Sequence, residues 1–306
     1  MRILHIDTGR ELRGGQRQLL LLARGLAQRG HSQVILARRG TPLFSTAIER
    51  GIEVHPLQPT TLRADAGRAD IVHAHDARAH TLAAVLAADR PLLVSRRVAF
   101  PIRTGPLSRW KYDRPRRFLA VSQFVKLQLL KAGIPEDKIA VVYDGVELPP
   151  GAPSVTRQPV VVAPHSDDPQ KGGALAAEAC RVAGIELRFS RTLEADLPTA
   201  SVFLYLSHSE GLGSAILLAM AYRTPVVASR VGGIPEIVAH GRTGLLAENN
   251  VAEIAAAIQN VLADPAAAAA RGEAAYNRLL AEFTDAIMVA QTEQAYHLPL
   301  GRIGTK

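Results

Sequence analysis

Four times along this chain a stretch of good helix formers ends on a glycine and passes straight into an apolar β run, at Gly30, Gly51, Gly133 and Gly184. A glycine in the left-handed conformation is a common helix stop. The runs that follow are rich in Val, Ile and Leu and do not alternate with polar residues. Strands apolar on both faces and separated by helices belong to a parallel sheet covered on both sides. The pattern recurs on both sides of a Pro/Gly stretch, Leu148-Pro149-Pro150-Gly151-Ala152-Pro153-Ser154, which offers little to pack. The chain is therefore read as α/β, with two Rossmann-like, doubly wound domains. The first is 1–148, the linker is 149–158 and the second is 159–306, ending in an Ala-rich helical tail broken at Pro265 and Gly272. Two such domains imply a ligand cleft between them.

Within the first domain, strand 3–7 leads to Gly14-Gly15 and a long helix. Strand 70–75 ends on His73-Ala74-His75-Asp76, and Ser122 is placed to cap the helix that starts at Gln123. Segment 58–69 is polar and short for a parallel crossover, and no helix is read there. Hydrophobic content of 47% with 21% charged residues is ordinary for a globular chain. The lone Cys180 cannot form an intrachain disulfide and reads as a buried, inert thiol. No signal-peptide pattern and no apolar run of bilayer length is seen, so a cytoplasmic setting is expected. The net charge of +8 is uneven: residues 1–150 carry 24 Lys/Arg against 13 Asp/Glu, and the remainder 12 against 15. An anionic partner is thus expected at the first domain.

The richest stretch in chemistry is 207–248. An apolar run, 201–206, feeds the turn Ser209-Glu210-Gly211-Leu212-Gly213-Ser214, which opens a helix starting at Ala215. Unpaired amides and the positive end of a helix suit a phosphate. Glu210 is out of place beside an anion unless a polar ligand uses it. Together they point to a phosphorylated ligand with hydroxyls, such as a nucleotide sugar. Gly211-Leu212-Gly213 also begins a dinucleotide fingerprint, but Ile216 stands where its third glycine belongs. An NAD-dependent oxidoreductase is kept as a remote rival.

Several segments, in order, resemble the family 4 (group 1) glycosyltransferases, which are retaining, metal-independent enzymes of GT-B architecture. The segments are Gly14-Gly15, His73-Ala74-His75-Asp76, Ala120-Val121-Ser122, Asp144-Gly145-Val146, Lys171-Gly172, Glu210-Gly211-Leu212-Gly213, 217–221, 224–229 and Val231-Gly232-Gly233-Ile234-Pro235-Glu236. The resemblance implies Glu210, His75 and Lys171 as catalytic residues. It implies donor binding by Gly14, Gly15, His165, Lys171, Glu210, Gly211, Leu212, Gly213, Ser214 and Ala215. In this reading Lys171 and the amides around Gly213 to Ala215 hold the diphosphate, Glu210 holds the transferred sugar, and His75 faces that sugar. The nucleotide sugar is a co-substrate, and no metal or other cofactor is expected; no Asp-x-Asp pair occurs. Three features depart from the family pattern. Leu218 replaces a second Glu that holds the ribose. His165 stands where an Arg is usual. Only 38 residues separate Lys171 from Glu210, so the second domain looks trimmed by one βα unit.

His73 is read as structural and facing away from His75. A zinc site from His73, His75, Asp76 and His80 fits no common ligand spacing. The basic residues Arg96, Arg97, Arg103, Arg109 and Lys111, interleaved with Phe100, Trp110 and Tyr112, read as a solvated face or as a surface for an acceptor or an anionic membrane. Single-stranded nucleic acid also suits such a run, but no nucleic-acid-binding motif supports it. The expected function is retaining transfer of a sugar from a nucleotide sugar to a glycan or lipid-linked envelope polysaccharide acceptor of lipopolysaccharide type, in the cytoplasm or at the inner face of the plasma membrane. The alternative is a non-catalytic nucleotide-sugar or glycan-binding module of the same fold.

Overall fold

The structure is a computed structural model and describes residues 1–87, 89–102, 105–151 and 156–297. Its contacts divide the chain into two compact units, Met1–Asp144 with Asp285–Lys306, and Gly145–Thr284.

In the first unit the order is β1 (Arg2–Ile6), α1 (Gly14–Gln28), β2 (Ser32–Ala37), α2 (Pro42–Glu49), β3 (Val54–Pro56), α3 (Pro59–Arg68), β4 (Ile71–Ala74), α4 (Ala77–Leu86), β5 (Leu92–Arg96), α5 (Pro106–Asp113), β6 (Arg117–Ala120), α6 (Gln123–Lys131) and β7 (Ile139–Val141). The seven strands are all parallel, in the order β3-β2-β1-β4-β5-β6-β7. The second unit runs β8 (Gln158–Pro164), α7 (Gly173–Ala183), β9 (Glu186–Ser190), α8 (Leu193–Asp196), β10 (Ala200–Tyr205), α9 (Ser214–Ala221), β11 (Val226–Ser229), α10 (Ile234–Ile237), β12 (Leu245–Ala247), α11 (Val251–Ala263) and α12 (Pro265–Glu282). Its sheet is a five-stranded parallel one, β12-β11-β10-β8-β9. In each sheet the order reverses once, between β1 and β4 and between β8 and β10. Open α/β sheets bind ligands outside the carboxyl ends of the strands at such a switch point.

The four glycine stops adopt φ of +84°, +67°, +82° and +70° at Gly30, Gly51, Gly133 and Gly184. Ser122 caps α6, its hydroxyl accepting from the Val125 amide at 3.1 Å. Segment 58–69 does contain a helix, α3. It starts on Pro59 and buries only Leu62, Asp65 and Ala66, so a mostly polar surface hid it.

The tail differs from expectation in two ways. Its breaks fall at Asp264 and at 283–284, while Gly272 lies inside α12. A β-carbon there would stand 2.3 Å from the Arg223 carbonyl oxygen, so this glycine serves close packing. The last helix, α13 (Asp285–His297), packs with the first unit, not the second. Met288, Val289, Ala295 and Tyr296 join Ile3, Leu22, Leu26, Leu93 and Leu119 in one buried cluster. The core of the second unit is built from β8, α7, β10 and α11 around Val161, Ala179, Leu204, Ile254 and Ile258. Cys180 is free and buried there, and burial pushes its thiol up to about 11. Among the described residues no helix is long and apolar enough to cross a membrane.

Candidate functional site

The switch point of the second unit collects its predicted residues. The loop leaving β8 carries His165 and ends on Lys171, and the loop leaving β10 carries Ser207 to Gly213. The two loops are tied together: the His208 amide and the Ser207 hydroxyl both donate to the Gln170 carbonyl, at 2.9 and 3.3 Å. Glu210 is the hub. Its Oε2 accepts from Lys171 Nζ at 2.7 Å and from the Tyr205 hydroxyl at 2.6 Å, and its Oε1 from the Gly211 amide at 3.0 Å. Tyr205 is buried, and burial, with the Glu210 carboxylate second, holds its hydroxyl well above the ordinary phenol range. It is therefore a permanent donor to the carboxylate.

The turn is propped from behind. Gly232 has φ +57°, and a β-carbon on it would lie 1.9 Å from the Glu210 carbonyl oxygen, which also accepts from the Gly233 amide at 3.2 Å. Gly213 (φ +95°) precedes α9, where the Ile216 amide donates to the Gly213 carbonyl at 2.8 Å and the Ser214 and Ala215 amides open the helix. α9 buries Ile216, Leu217, Ala219, Met220 and Ala221 and leaves Ser214, Ala215 and Leu218 half-buried. The face that begins at Ser214 thus presents an apolar Leu218. His165 extends the β8 loop with its ring 3.7 Å from Asp167, while Asp168 is occupied in accepting from the Gln170 amide.

The switch point of the first unit is built on histidines. His5 on β1 is in register with His73 on β4. His75 lies two residues further on and so returns to the same face. The expectation that His73 turns away from His75 is corrected: the two rings pack against each other, tilted by 37° with centroids 4.1 Å apart. His75 Nε2 and His5 Nδ1 are 3.0 Å apart, His5 Nε2 meets Gln33 Oε1 at 2.7 Å, and Arg97 Nη1 faces His75 Nδ1 at 3.5 Å. Arg97 is itself paired with Asp144 at 3.1 Å. His73 meets the Tyr296 hydroxyl and the Ser95 hydroxyl, each at 2.8 Å. Burial drives His5 down to about 4, with the Gln33 hydrogen bond opposing. Burial first, then the neighbouring histidines and Arg97, hold His73 and His75 well below the usual range. All three rings are neutral at pH 7.

Gly14 and Gly15 open α1, and a β-carbon on Gly15 would lie 3.9 Å from Arg97 Cδ, so the glycine pair adjoins the His75 site. In front of α1, Gly9, Arg10, Glu11, Arg13 and Gln16 line a pocket of about 280 Å3. Gln16 donates to the buried carboxylate of Asp7, and Asp76 accepts from the Thr8 amide and hydroxyl as well as capping α4. The four residues weighed for zinc are not gathered: Asp76 has that capping role, and His80 donates to the Lys111 carbonyl at 3.0 Å, with burial pushing it down to about 3.

The basic run divides. Arg96 is buried and donates to the Tyr112 hydroxyl and the Phe100 carbonyl, which removes it from the surface. Arg97 belongs to the histidine site. Lys111 is half-buried on the Ala77 carbonyl, while Arg109 and Trp110 remain exposed on α5, which buries none of its side chains. Arg103 lies outside the described residues. Sequence reasoning missed His5, Gln33 and Tyr205. The first two follow once β1 is known to lie between β2 and β4, whereas nothing near Tyr205 announces its carboxylate partner.

Comparison with known proteins finds the family model for group 1 glycosyl transferases at residues 189–278 and that for glycosyltransferase family 4 at 12–149. The chain is 44% identical over 107 residues to an alpha-maltose-1-phosphate synthase of Mycolicibacterium smegmatis, spanning 33% of this chain and 28% of that protein. It is 38% identical over 159 residues to the Mycobacterium tuberculosis protein of the same name, spanning 45% of this chain and 40% of that one. The match therefore spans less than half the length of either relative. Anabaena Alr3699/HepE, solved in complex with UDP and glucose, superposes with a TM-score of 0.84 at 17% identity, over 97% of this chain and 100% of that one, a likeness of fold.

Proposed function

The chain belongs to the family 4 (group 1) GT-B glycosyltransferases, and from that premise we propose that it transfers a sugar from a nucleotide sugar to a glycan or lipid-linked acceptor with retention of configuration. The observation that carries the reading is Glu210, held between Lys171 and Tyr205 at the switch point of the second unit. A diphosphate leaving group gathers negative charge as the glycosidic bond breaks. Lys171 and the Ser214 and Ala215 amides at the start of α9 are the donors that would meet it. When a diphosphate arrives, Lys171 exchanges one anion for another, and Glu210, still fixed by Tyr205, is released to accept from sugar hydroxyls. His165 flanks the same loop. His75, with Gly14 and Gly15 beside it, serves the transferred sugar and the acceptor. The reading assigns no metal and no cofactor beyond the nucleotide sugar.

Phe100, Leu107 and Trp110 are 60, 83 and 46% exposed, with Arg109 among them. Apolar side chains interleaved with arginine suit an anionic membrane interface. This supports a lipid-linked, envelope-type acceptor and work at the inner face of the plasma membrane. Vesicles containing anionic lipid are expected to shift Trp110 fluorescence, and Leu107→Glu to abolish the shift; equal binding to neutral vesicles would remove the electrostatic part.

The central test is release of nucleoside diphosphate from a panel of nucleotide sugars by Glu210→Ala and Lys171→Ala variants that keep the wild-type circular dichroism. Undiminished turnover in both would sink the assignment. A second reading, a non-catalytic nucleotide-sugar or glycan-binding module, is favoured by the apolar Leu218. Calorimetric binding without any turnover would select it.

A further inference from the structure

The hydrogen bonds among the buried histidines of the first unit have a direction, and Arg97 fixes it. Its guanidinium remains charged and can only donate. Nε is turned to Asp144 Oδ1 at 3.1 Å, and Nη1 faces His75 Nδ1 at 3.5 Å. A proton on His75 Nδ1 would stand donor against donor, so this neutral ring carries its proton on Nε2. That nitrogen is 3.0 Å from His5 Nδ1, which must accept. His5 then holds its own proton on Nε2 and donates it to Gln33 Oε1 at 2.7 Å. Among the described residues the Gln33 amide nitrogen is buried without a hydrogen-bond partner, so the side chain is oriented by its oxygen alone. Turning the amide over would reverse every link and end with two N–H groups opposed at Arg97.

We propose that His5 and Gln33 are positioning residues that lock His75 in its Nε2–H tautomer, so that the nitrogen left for a ligand, Nδ1, is an acceptor and never a donor. The use of this nitrogen rests on the reading of the chain as a transferase. The contact from Arg97 is long for a hydrogen bond, and a sugar or acceptor hydroxyl can donate to Nδ1 in its place. A phosphate oxygen or a deoxygenated position cannot, so His75 selects for a hydroxyl. His73 packs against the His75 ring at a tilt of 37°, its own nitrogens matched by Tyr296 and Ser95. The three rings also offer nitrogens within 4.8 Å of one another, the arrangement of a cation site. Five of the six nitrogens are already hydrogen-bonded, however, and the guanidinium that faces the sixth opposes a further positive charge.

The test is a long-range proton–nitrogen correlation spectrum of the full chain with 15N-labelled histidine, recorded at neutral pH without substrate. His75 and His5 are each expected as a single Nε2–H tautomer. Gln33→Met keeps the bulk but removes the acceptor. It is expected to give His75 a two-tautomer average and to lower kcat about 10-fold while donor KM changes little. Gln33→Glu, which keeps an acceptor, is expected to preserve the single tautomer. A proton on His75 Nδ1 in the wild type overturns the proposal, as does a Gln33→Met variant with an unchanged spectrum or with unchanged kcat. Stoichiometric Zn2+ binding that shifts His5, His73 and His75 together overturns it in favour of a metal site. If Gln33→Met does not fold, the wild-type spectrum alone decides the tautomer. Because that spectrum needs no turnover, absence of sugar transfer would defeat the proposed function and leave the tautomer result standing.

Discussion

The two switch points occupy the same place in two parallel sheets and are built from opposite materials. In the first unit, three neutral histidines lie buried, two of them, His5 and His75, in a chain from Gln33 towards the Arg97–Asp144 pair, and His73 beside them on Tyr296 and Ser95. In the second, a carboxylate and an ammonium face each other, Glu210 15% and Lys171 37% exposed, with one buried phenol supporting the acid. The topology provides a crevice in both cases, and the side chains at the strand ends decide what each can do. The charged site can exchange partners with an arriving anion. The neutral histidines can distinguish donors from acceptors, and the charges of Arg97 and Asp144 beside them are already paired with each other.

Four experiments in solution sharpen or break that contrast. The largest effect is expected at the charged site, where Lys171→Met or Glu210→Ala should reduce kcat by about 10²- to 10³-fold, or about 3–4 kcal/mol of transition-state stabilisation. If either variant kept wild-type rates, the ion pair would be a structural one and the asymmetry would vanish.

Acid comes next. The folded-state pKa of His5 lies at about 4, below its ordinary 6.5. The unfolded chain therefore binds the proton first, and the contribution of neutral His5 is complete above pH 6.5 and lost as pH falls towards 4. The shift corresponds to about 3 kcal/mol. The single tryptophan, Trp110, belongs to the first unit. Its fluorescence should report unfolding between pH 6 and 4 (about the window those values define) before far-UV dichroism is lost. Simultaneous loss of both signals would deny the first unit its special acid sensitivity.

Tyr205→Phe removes one donor to a charged acceptor and should cost about 1.5 kcal/mol, roughly 10-fold, in nucleotide-sugar turnover. A thermal melt near wild type would place that loss at the site. The smallest change is expected from Leu218→Glu, which puts a carboxylate on the half-buried face of α9. It should tighten nucleoside diphosphate-sugar binding about 5-fold by calorimetry. Weaker binding would mean that Leu218 packs against the ligand.

Local chemistry makes much of this legible in the sequence. Each glycine stop and the Ser122 cap act within four residues, and the Lys171 and Glu210 turns are short motifs at strand ends. What could not be read depends on which elements become neighbours. His5 meets His75 only because β1 and β4 are adjacent. Arg96 and Arg97 follow one another in the chain, yet alternation along the strand end buries one on Tyr112 and gives the other to Asp144. α13 mixes apolar and polar residues that do not say which sheet will receive it, and the choice of the first unit appears only in the packing of Met288, Val289 and Tyr296.

That last helix has a consequence for the order in which the protein is made. The chain leaves the first unit after Asp144, completes the second through Thr284, and only then supplies the residues that finish the first. During synthesis the second unit is contiguous and can close on itself as it emerges. The first lacks α13 until then, and with it the Tyr296 hydroxyl that meets His73. The half of the molecule that begins first is thus the last to become whole.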